Sequence, residues 1–309
     1  MTIRETPPVP SREEILADLG DTNWGRWGPT DQAGTVNLIT PEKRLSALRL
    51  VRSGRLLSIA RDFPCQPAPN NPHPAQFFMR VHGELHGDGA ATDYYGIQYH
   101  GRLSTHIDAL SHIWNGGRLW NGASAAEHIG FNGVTFGGIE NWSAGIVTRG
   151  VLLDVPRFRG EPCVTQEKPV HGWELEEIAK AEGVALEPGD AIAVYCGRAS
   201  LEALEASLGT PHDPRLTPGL HMSCLRFLKD ADCAVLVWDM MDLRPNGYDL
   251  PWGVHSSIFT LGLALVDNAI LEPLAEACAE EGRYEFLLML APLRVVGGTG
   301  SPVNPLVML

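Results

Sequence analysis

The chain has 309 residues, 44% hydrophobic and 20% charged, with a formal net charge of −13. An apolar fraction of that size supplies a sizeable core for a globular enzyme. The acidic balance, with lysines and arginines dispersed, excludes nucleic acid and anionic membrane surfaces as partners.

Met1 to Pro10 is polar and Pro-rich, without the apolar run of a secretory signal. The longest apolar stretches, such as Phe259 to Val266, are too short to cross a bilayer. Cys65, Cys163, Cys196, Cys224, Cys233 and Cys278 are scattered with no CxxC pair. Reduced thiols in a cytoplasmic protein are the expectation, with Cys196 and Cys233 in the core.

In chain order, Thr40 reads as an N-cap with Pro41 at the first helical position, and Leu45, Leu48, Leu50 and Val51 follow at helical spacing up to Gly54. Strands are predicted at Leu56–Ala60, Gln76–Val81 and Tyr94–Tyr99, where aromatic and β-branched residues concentrate. Gly145–Val155 holds one or two strands, interrupted at Arg149-Gly150. Helix Trp173–Glu182, strand Ala191–Tyr195 and helix Leu201–Leu208, ended by Gly209, come next. Ser223 is placed as the cap of a helix over Leu225–Leu228 that leads into strand Ala234–Trp238. Helix Leu271–Glu281 and strand Tyr284–Leu290 close the chain. Strands interspersed with helices define a mixed α/β class. With no internal repeat and no clean linker, even at the Pro-rich run Pro64–Pro74, a single domain over 1–309 is expected, with an N-terminal extension at about 1–40.

The segment from His100 to His112 packs three imidazoles and a carboxylate into thirteen residues. Alternate side chains of a strand share a face, so a strand running from Asp93 through Asp108 would point His100, His106 and Asp108 the same way. Imidazole nitrogens beside a carboxylate oxygen suit zinc or manganese, and histidine suits proton transfer near neutral pH. Tyr94, Tyr95, Trp114 and Trp120 flank this segment and are read either as the wall of a pocket for a ring-bearing substrate or as core. Gly297-Gly298-Thr299-Gly300 follows the last predicted strand and lacks a P-loop lysine, so it reads as a tight turn. His221 reads as a helix-start residue.

Thr105-His106-x-Asp108-Ala109-x-x-His112 resembles the signature of the putative cyclase family, written His-x-Gly-Thr-His-x-Asp-x-Pro-x-His, which includes bacterial kynurenine formamidases and isatin hydrolases. The similarity runs from Trp24-Gly25-Arg26-Trp27-Gly28-Pro29 to Gly297–Pro305, most of the chain. In this chain Arg102 stands at the family's first metal histidine, Ser104 at its glycine and Leu110 at its proline. Arginine stays protonated and offers no lone pair, so that ligand is missing, and His100 is the nearest substitute. The resemblance implies a swivelling β/β/α fold, with a strand-rich core flanked by helices, assembled as a homodimer or homotetramer.

The resemblance also implies that His255, and Asp267 twelve residues later in place of the usual glutamate, complete the metal site. Without it, His255 could start a short helix and Asp267 could cap the helix that follows. The expected activity is hydrolysis of a formamide or cyclic amide, with Zn2+ or Mn2+ held by His106, Asp108, His255, Asp267 and His100, and with His112 as general acid and base for a small-molecule substrate. Three alternatives stand beside it: a lactone hydrolase on the same site, a metal-independent hydrolase that uses Arg102 as electrophile, and a ligand-binding homologue without catalysis.

Overall fold

Thr40 Oγ1 accepts a hydrogen bond from the Lys43 amide (3.2 Å), and with Pro41 in the first turn it starts the helix Pro41–Leu48 as its sequence requires. The computed structural model describes residues 7–68, 71–209, 213 and 215–309. The first six residues of the polar N-terminal stretch, and Pro69 and Asn70 of the Pro-rich run, lie outside the described residues.

The strands, in chain order, are β1 (Leu56–Ser58), β2 (Gln76–Gly83), β3 (Gly89–Gly96), β4 (His106–Asp108), β5 (Ile129–Gly130), β6 (Gly133–Val134), β7 (Ile146–Asp154), β8 (Ala191–Tyr195), β9 (Val235–Trp238), β10 (Ala264–Asp267), β11 (Glu285–Leu290), β12 (Gly300–Pro302) and β13 (Leu306–Met308). Nine of them form one sheet in the order β1-β13-β11-β7-β8-β9-β10-β4-β12. Its centre, β7 to β10, is parallel, and both wings are antiparallel. β9 (VLVW) and β10 (ALVD) are buried throughout, as strands covered on both faces are. The helices Gly172–Ala181, Cys224–Asp230 and Glu272–Glu281 supply apolar residues to the core, among them Leu175, Ile178, Phe227, Leu228 and Leu274. The fold is the mixed, helix-flanked strand core expected from the sequence. No helix among the described residues is long and apolar enough to cross a membrane.

Several boundaries differ from expectation for identifiable reasons. β7 is one continuous strand, and Gly150 marks a close approach instead of a break: a Cβ there would lie 2.0 Å from the Phe286 ring of β11. The helix expected from Leu201 begins at Arg198 and ends at Gly209 as read. Ser223 does not cap its helix; its hydroxyl accepts from the Gly172 amide (3.1 Å). The strand expected over Tyr94–Tyr99 ends at Gly96, because β3 pairs only with β2 and its last rung is Gln76↔Gly96. His100 therefore does not share a strand with His106 and Asp108.

At the centre of the sheet Arg149 is 8% exposed and reaches Asp190 through two bonds (2.9 and 2.6 Å) and Glu285 (2.7 Å), while Lys43 Nζ lies 2.5 Å from Asp190. Removing one partner of a buried ion network leaves uncompensated charge. Arg149→Met is expected to cost about 3 kcal/mol of stability, measured by urea denaturation. A loss below about 1 kcal/mol would show that the network contributes little.

Candidate active site

The antiparallel pairing of β4 with β10 builds the centre of the site. His106 and Asp108, two apart, face one way, and the register sets Asp267 opposite His106. His106 Nε2 consequently lies 3.4 Å from Asp108 Oδ1 and 3.7 Å from Asp267 Oδ2. His255 arrives from the helical turn Val254–Ser256, its Nε2 3.3 Å from Asp267 Oδ2 and 4.0 Å from Asp108 Oδ2. None of these four residues is more than 6% exposed.

The far side of three of these groups is held. His106 Nδ1 donates to the Ser104 carbonyl (2.8 Å), and His255 Nδ1 donates to Asp242 Oδ2 (2.8 Å). The Trp238 indole donates to Asp267 Oδ1. Such partners fix ring orientation and turn the Nε2 atoms toward the centre. Asp108 is the exception: it is fully buried, yet neither of its oxygens has a hydrogen-bond partner. Burial works to raise its pKa, but the imidazoles of His112, His100 and His106 overcome this and hold it well below the usual range. Burial would likewise depress His255, but Asp242 and Asp267 hold it well above the ordinary histidine value.

Nitrogen and oxygen donors 3.3–4.0 Å apart fit the coordination shell of one first-row divalent ion, whose ligands at roughly 2.1 Å stand about 3.4 Å from one another. His106, Asp108 and Asp267 form one such group, and His100, Asp108 and His112 a second that shares Asp108. A carboxylate with two unsatisfied, buried oxygens is what a bound cation would satisfy.

His100 and His112 stack face to face, with ring centroids 3.8 Å apart and planes 2° from parallel. His100 Nδ1 lies 3.0 Å from Asp108 Oδ1 without hydrogen-bond alignment, and its Nε2 is 3.0 Å from Thr299 Oγ1. The Gly297–Gly300 turn therefore braces His100, and Gly300 is needed there because a Cβ would meet His100 Cε1 at 3.0 Å and the Ile107 carbonyl at 2.5 Å. His112 Nε2 stands 3.7 Å from Asp108 Oδ2. Burial lowers its pKa to about 4 against the opposing pull of Asp108, so its imidazole is neutral at neutral pH.

A cavity of about 220 Å³ opens onto His106, His112, His255 and Asp267, with Arg102, Arg244, Met241 and Trp252 along its wall. The four aromatic residues read as pocket wall or core do not line this cavity. Tyr94 and Tyr95 are exposed on β3, which with β2 forms a two-stranded sheet separate from the nine-stranded one. Trp120 is fully buried and donates to the Asp31 carbonyl (3.1 Å). Trp114 is 45% exposed and offers only its carbonyl, to the Trp252 indole (3.1 Å). Asp267 caps no helix: Glu272–Glu281 starts without a side-chain cap. His221 bonds Ser223 and Tyr248 away from the cavity.

Sequence reading missed Asp242, Trp238, Arg244 and Trp252. Asp242 follows the carboxyl end of β9, where ligands bind in parallel sheets, and that position was the available signal. Trp238 and Arg244 carried none, because their roles come from tertiary contact.

A helix-flanked mixed sheet carrying buried histidines and aspartates at one strand pair defines a cyclase-type fold with a candidate metal centre. The model of the putative cyclase family matches residues 45–244, and the chain belongs to that family. A crystal structure described as a novel cyclase is similar at 29% identity, covering 93% of this chain and 99% of that one with a TM-score of 0.79. Isatin hydrolase A from Labrenzia aggregata is 17% identical over 82% of this chain and 93% of its own, with a TM-score of 0.55. Isatin hydrolase A from Ralstonia solanacearum is 16% identical over 87% and 97%, also at 0.55. Nothing among the curated proteins matches the chain.

If His255 is a ligand, the Asp242 carboxylate that orients it sets part of the affinity. Asp242→Asn is expected to weaken divalent-ion binding tenfold or more, in line with roughly 10–100-fold for such partners, measured by competition with a chromogenic chelator. Unchanged affinity would remove His255 from the ligand set.

Proposed function

We propose that the protein is a metal-dependent hydrolase that cleaves a carbon–nitrogen bond in a formamide or cyclic amide. The observation that carries the reading is Asp108, buried with two unsatisfied oxygens among His106, His255 and Asp267. The isatin hydrolases among the structural relatives support it at the level of fold. His106, Asp108, Asp267 and His255 would hold Zn2+ or Mn2+, with His100 beside Asp108 in place of the family histidine replaced by Arg102. Such an ion, when bound, lowers the pKa of water and polarises a carbonyl.

The residues of the chain supply the rest. His112 is neutral, faces the cavity and takes the proton of the attacking water, then delivers it to the leaving nitrogen. Asp242 and the Ser104 carbonyl keep His255 and His106 aimed. The same machinery would open a lactone. The place of Arg102 on the cavity wall favours one rival, a metal-free hydrolase in which the guanidinium stabilises the oxyanion.

Metal content and turnover separate these readings. Protein grown with zinc or manganese is expected to carry about one ion per chain, and chelation should abolish hydrolysis of formanilide, isatin or a lactone. His106→Ala and Asp108→Ala should lose both ion and turnover, whereas His112→Ala should keep the ion and lose roughly a hundredfold or more in kcat. Chelator-resistant activity would promote Arg102. Metal loss in His112→Ala would make His112 a ligand, and a loaded protein inert toward the whole panel would be a binding homologue.

We also propose a homodimer or homotetramer, in a reducing cytoplasmic setting that suits six unpaired cysteines. The support is the β2–β3 hairpin, where Phe77, Phe78, Met79, Val81, Tyr94 and Tyr95 are each at least 50% exposed. A lone two-stranded hairpin with apolar side chains on show is marginal in water. Light scattering should give a multiple of 33.6 kDa, reduced toward the monomer by Phe78→Ser with Met79→Ser. A monomer at micromolar concentration would refute it.

A further inference from the structure

The cavity is lined by groups of both charges. Its lining includes the carboxylates of Asp242 and Asp267 with the imidazoles of His106, His112 and His255, and also Arg102 and Arg244. Arg102 is half-buried and Arg244 exposed, and the other arginines near the site are spoken for. Arg198 bonds Glu202 and Asn268, and Arg61 lies 3.9 Å from Glu202. Arg102 and Arg244 differ: neither guanidinium has a hydrogen bond or an ion pair among the described residues.

Both are nevertheless held by their backbones. The Arg102 carbonyl accepts from Arg198 Nη2 (2.5 Å). Arg244 exchanges backbone hydrogen bonds with Thr217 (3.0 and 2.9 Å), and its carbonyl also accepts from Gln166 Nε2 (2.6 Å). Arg102 is half-buried, and burial together with the like charges of Arg198 and Arg244 lowers its pKa to about 10, so it remains charged at neutral pH. The two guanidiniums are close enough to repel. Although Glu202 and Glu205 act on Arg102 and Asp242 on Arg244, none of these carboxylates forms an ion pair with either, which leaves both free to take an anion.

We propose that the substrate carries a carboxylate of its own, distinct from the acyl group that is cleaved, and that Arg102 and Arg244 bind it. The inference rests on the hydrolase reading for the word substrate, but the anion site stands on the two arginines. Planar guanidiniums match carboxylates through paired hydrogen bonds, and lysine does not. Met241, Ile113 and Trp252 on the same cavity give the body of the molecule an apolar bed. Arg102 thus becomes a specificity residue at the position where the family carries a metal ligand.

The test compares 2-formamidobenzoate and 4-formamidobenzoate with formanilide, which differ by one carboxylate. Calorimetric binding to the zinc-supplied protein and to the chelator-stripped protein is measured beside turnover. The carboxylates are expected to bind at least tenfold more tightly than formanilide in both forms, with affinity falling as salt rises. Arg102→Gln and Arg244→Gln should each lower carboxylate affinity roughly tenfold to a hundredfold while formanilide affinity holds. Arg244→Lys should recover only part of the loss, and circular dichroism of each variant confirms folding. Carboxylate preference confined to the zinc form and unmoved by the arginine variants would place the anion on the metal and overturn the proposal. Equal binding of formanilide would overturn it too. Arginine-dependent binding of the carboxylates without hydrolysis of any amide would sustain the anion site and instead sink the hydrolase reading.

Discussion

The site depends on one unsatisfied carboxylate. Asp108 sits at the end of a three-residue strand clamped between β10 and β12, fully buried, with no hydrogen bond to either oxygen. An isolated charge in such a place costs several kcal/mol, and four imidazoles stand within about 4 Å of it: His100, His106, His112 and His255. The rest of the region is arranged to keep those rings in place. His106 is tied to Ser104, His100 to Thr299, His255 to Asp242, and Asp267 to Trp238. Buried carboxylates and imidazoles at this spacing make the cluster a candidate cation site.

One residue ties the strand that carries Asp267 to the loop that carries Arg102. Asn268 follows Asp267 and donates to the carbonyls of Gly101 (2.7 Å) and Ser104 (3.0 Å), while Arg198 donates to Asn268 Oδ1 (2.6 Å) and to the Arg102 carbonyl. The loop Gly101–Ser104 is therefore strapped from both sides. Its carbonyls orient His106, and the same strapping presents the Arg102 side chain to the cavity. Arg198 is itself fixed by its amide on Asp239 Oδ2 (2.9 Å). The orientation of His106 and the placement of Arg102 share one support, so a change in that loop would register at both.

Much of the architecture was legible because it is written in local chemistry. Thr40-Pro41 starts a helix, Gly209 stops one, and the β-branched runs of β8 and β9 appear where they read. His106 and Asp108 were legible as a pair because strand alternation makes i and i+2 neighbours. What failed was whatever needed a partner strand to decide. The end of β3 is set by the length of β2, and Gly150 looked like a break until Phe286 was across from it. The aromatic residues flanking the motif failed for the same reason: nearness in sequence says nothing about a hairpin that carries Tyr94 and Tyr95 away. His100 reached the site all the same, by a loop and a ring stack and not by the strand face that suggested it.

The two departures from the family pattern make sense together. Aspartate at position 267 is shorter than the usual glutamate, but the register places it directly opposite His106, and Trp238 turns its second oxygen toward both histidines at 3.3 and 3.7 Å. Reach is not lost where the backbone already brings the group in. Arginine at 102 removes one neutral donor and adds a positive charge on the cavity wall, next to a second cation at Arg244. The site thereby keeps its anionic floor while gaining a cationic wall. A neutral ring would find no use for that wall, whereas a molecule with a carboxylate at one end and an amide at the other would match both poles.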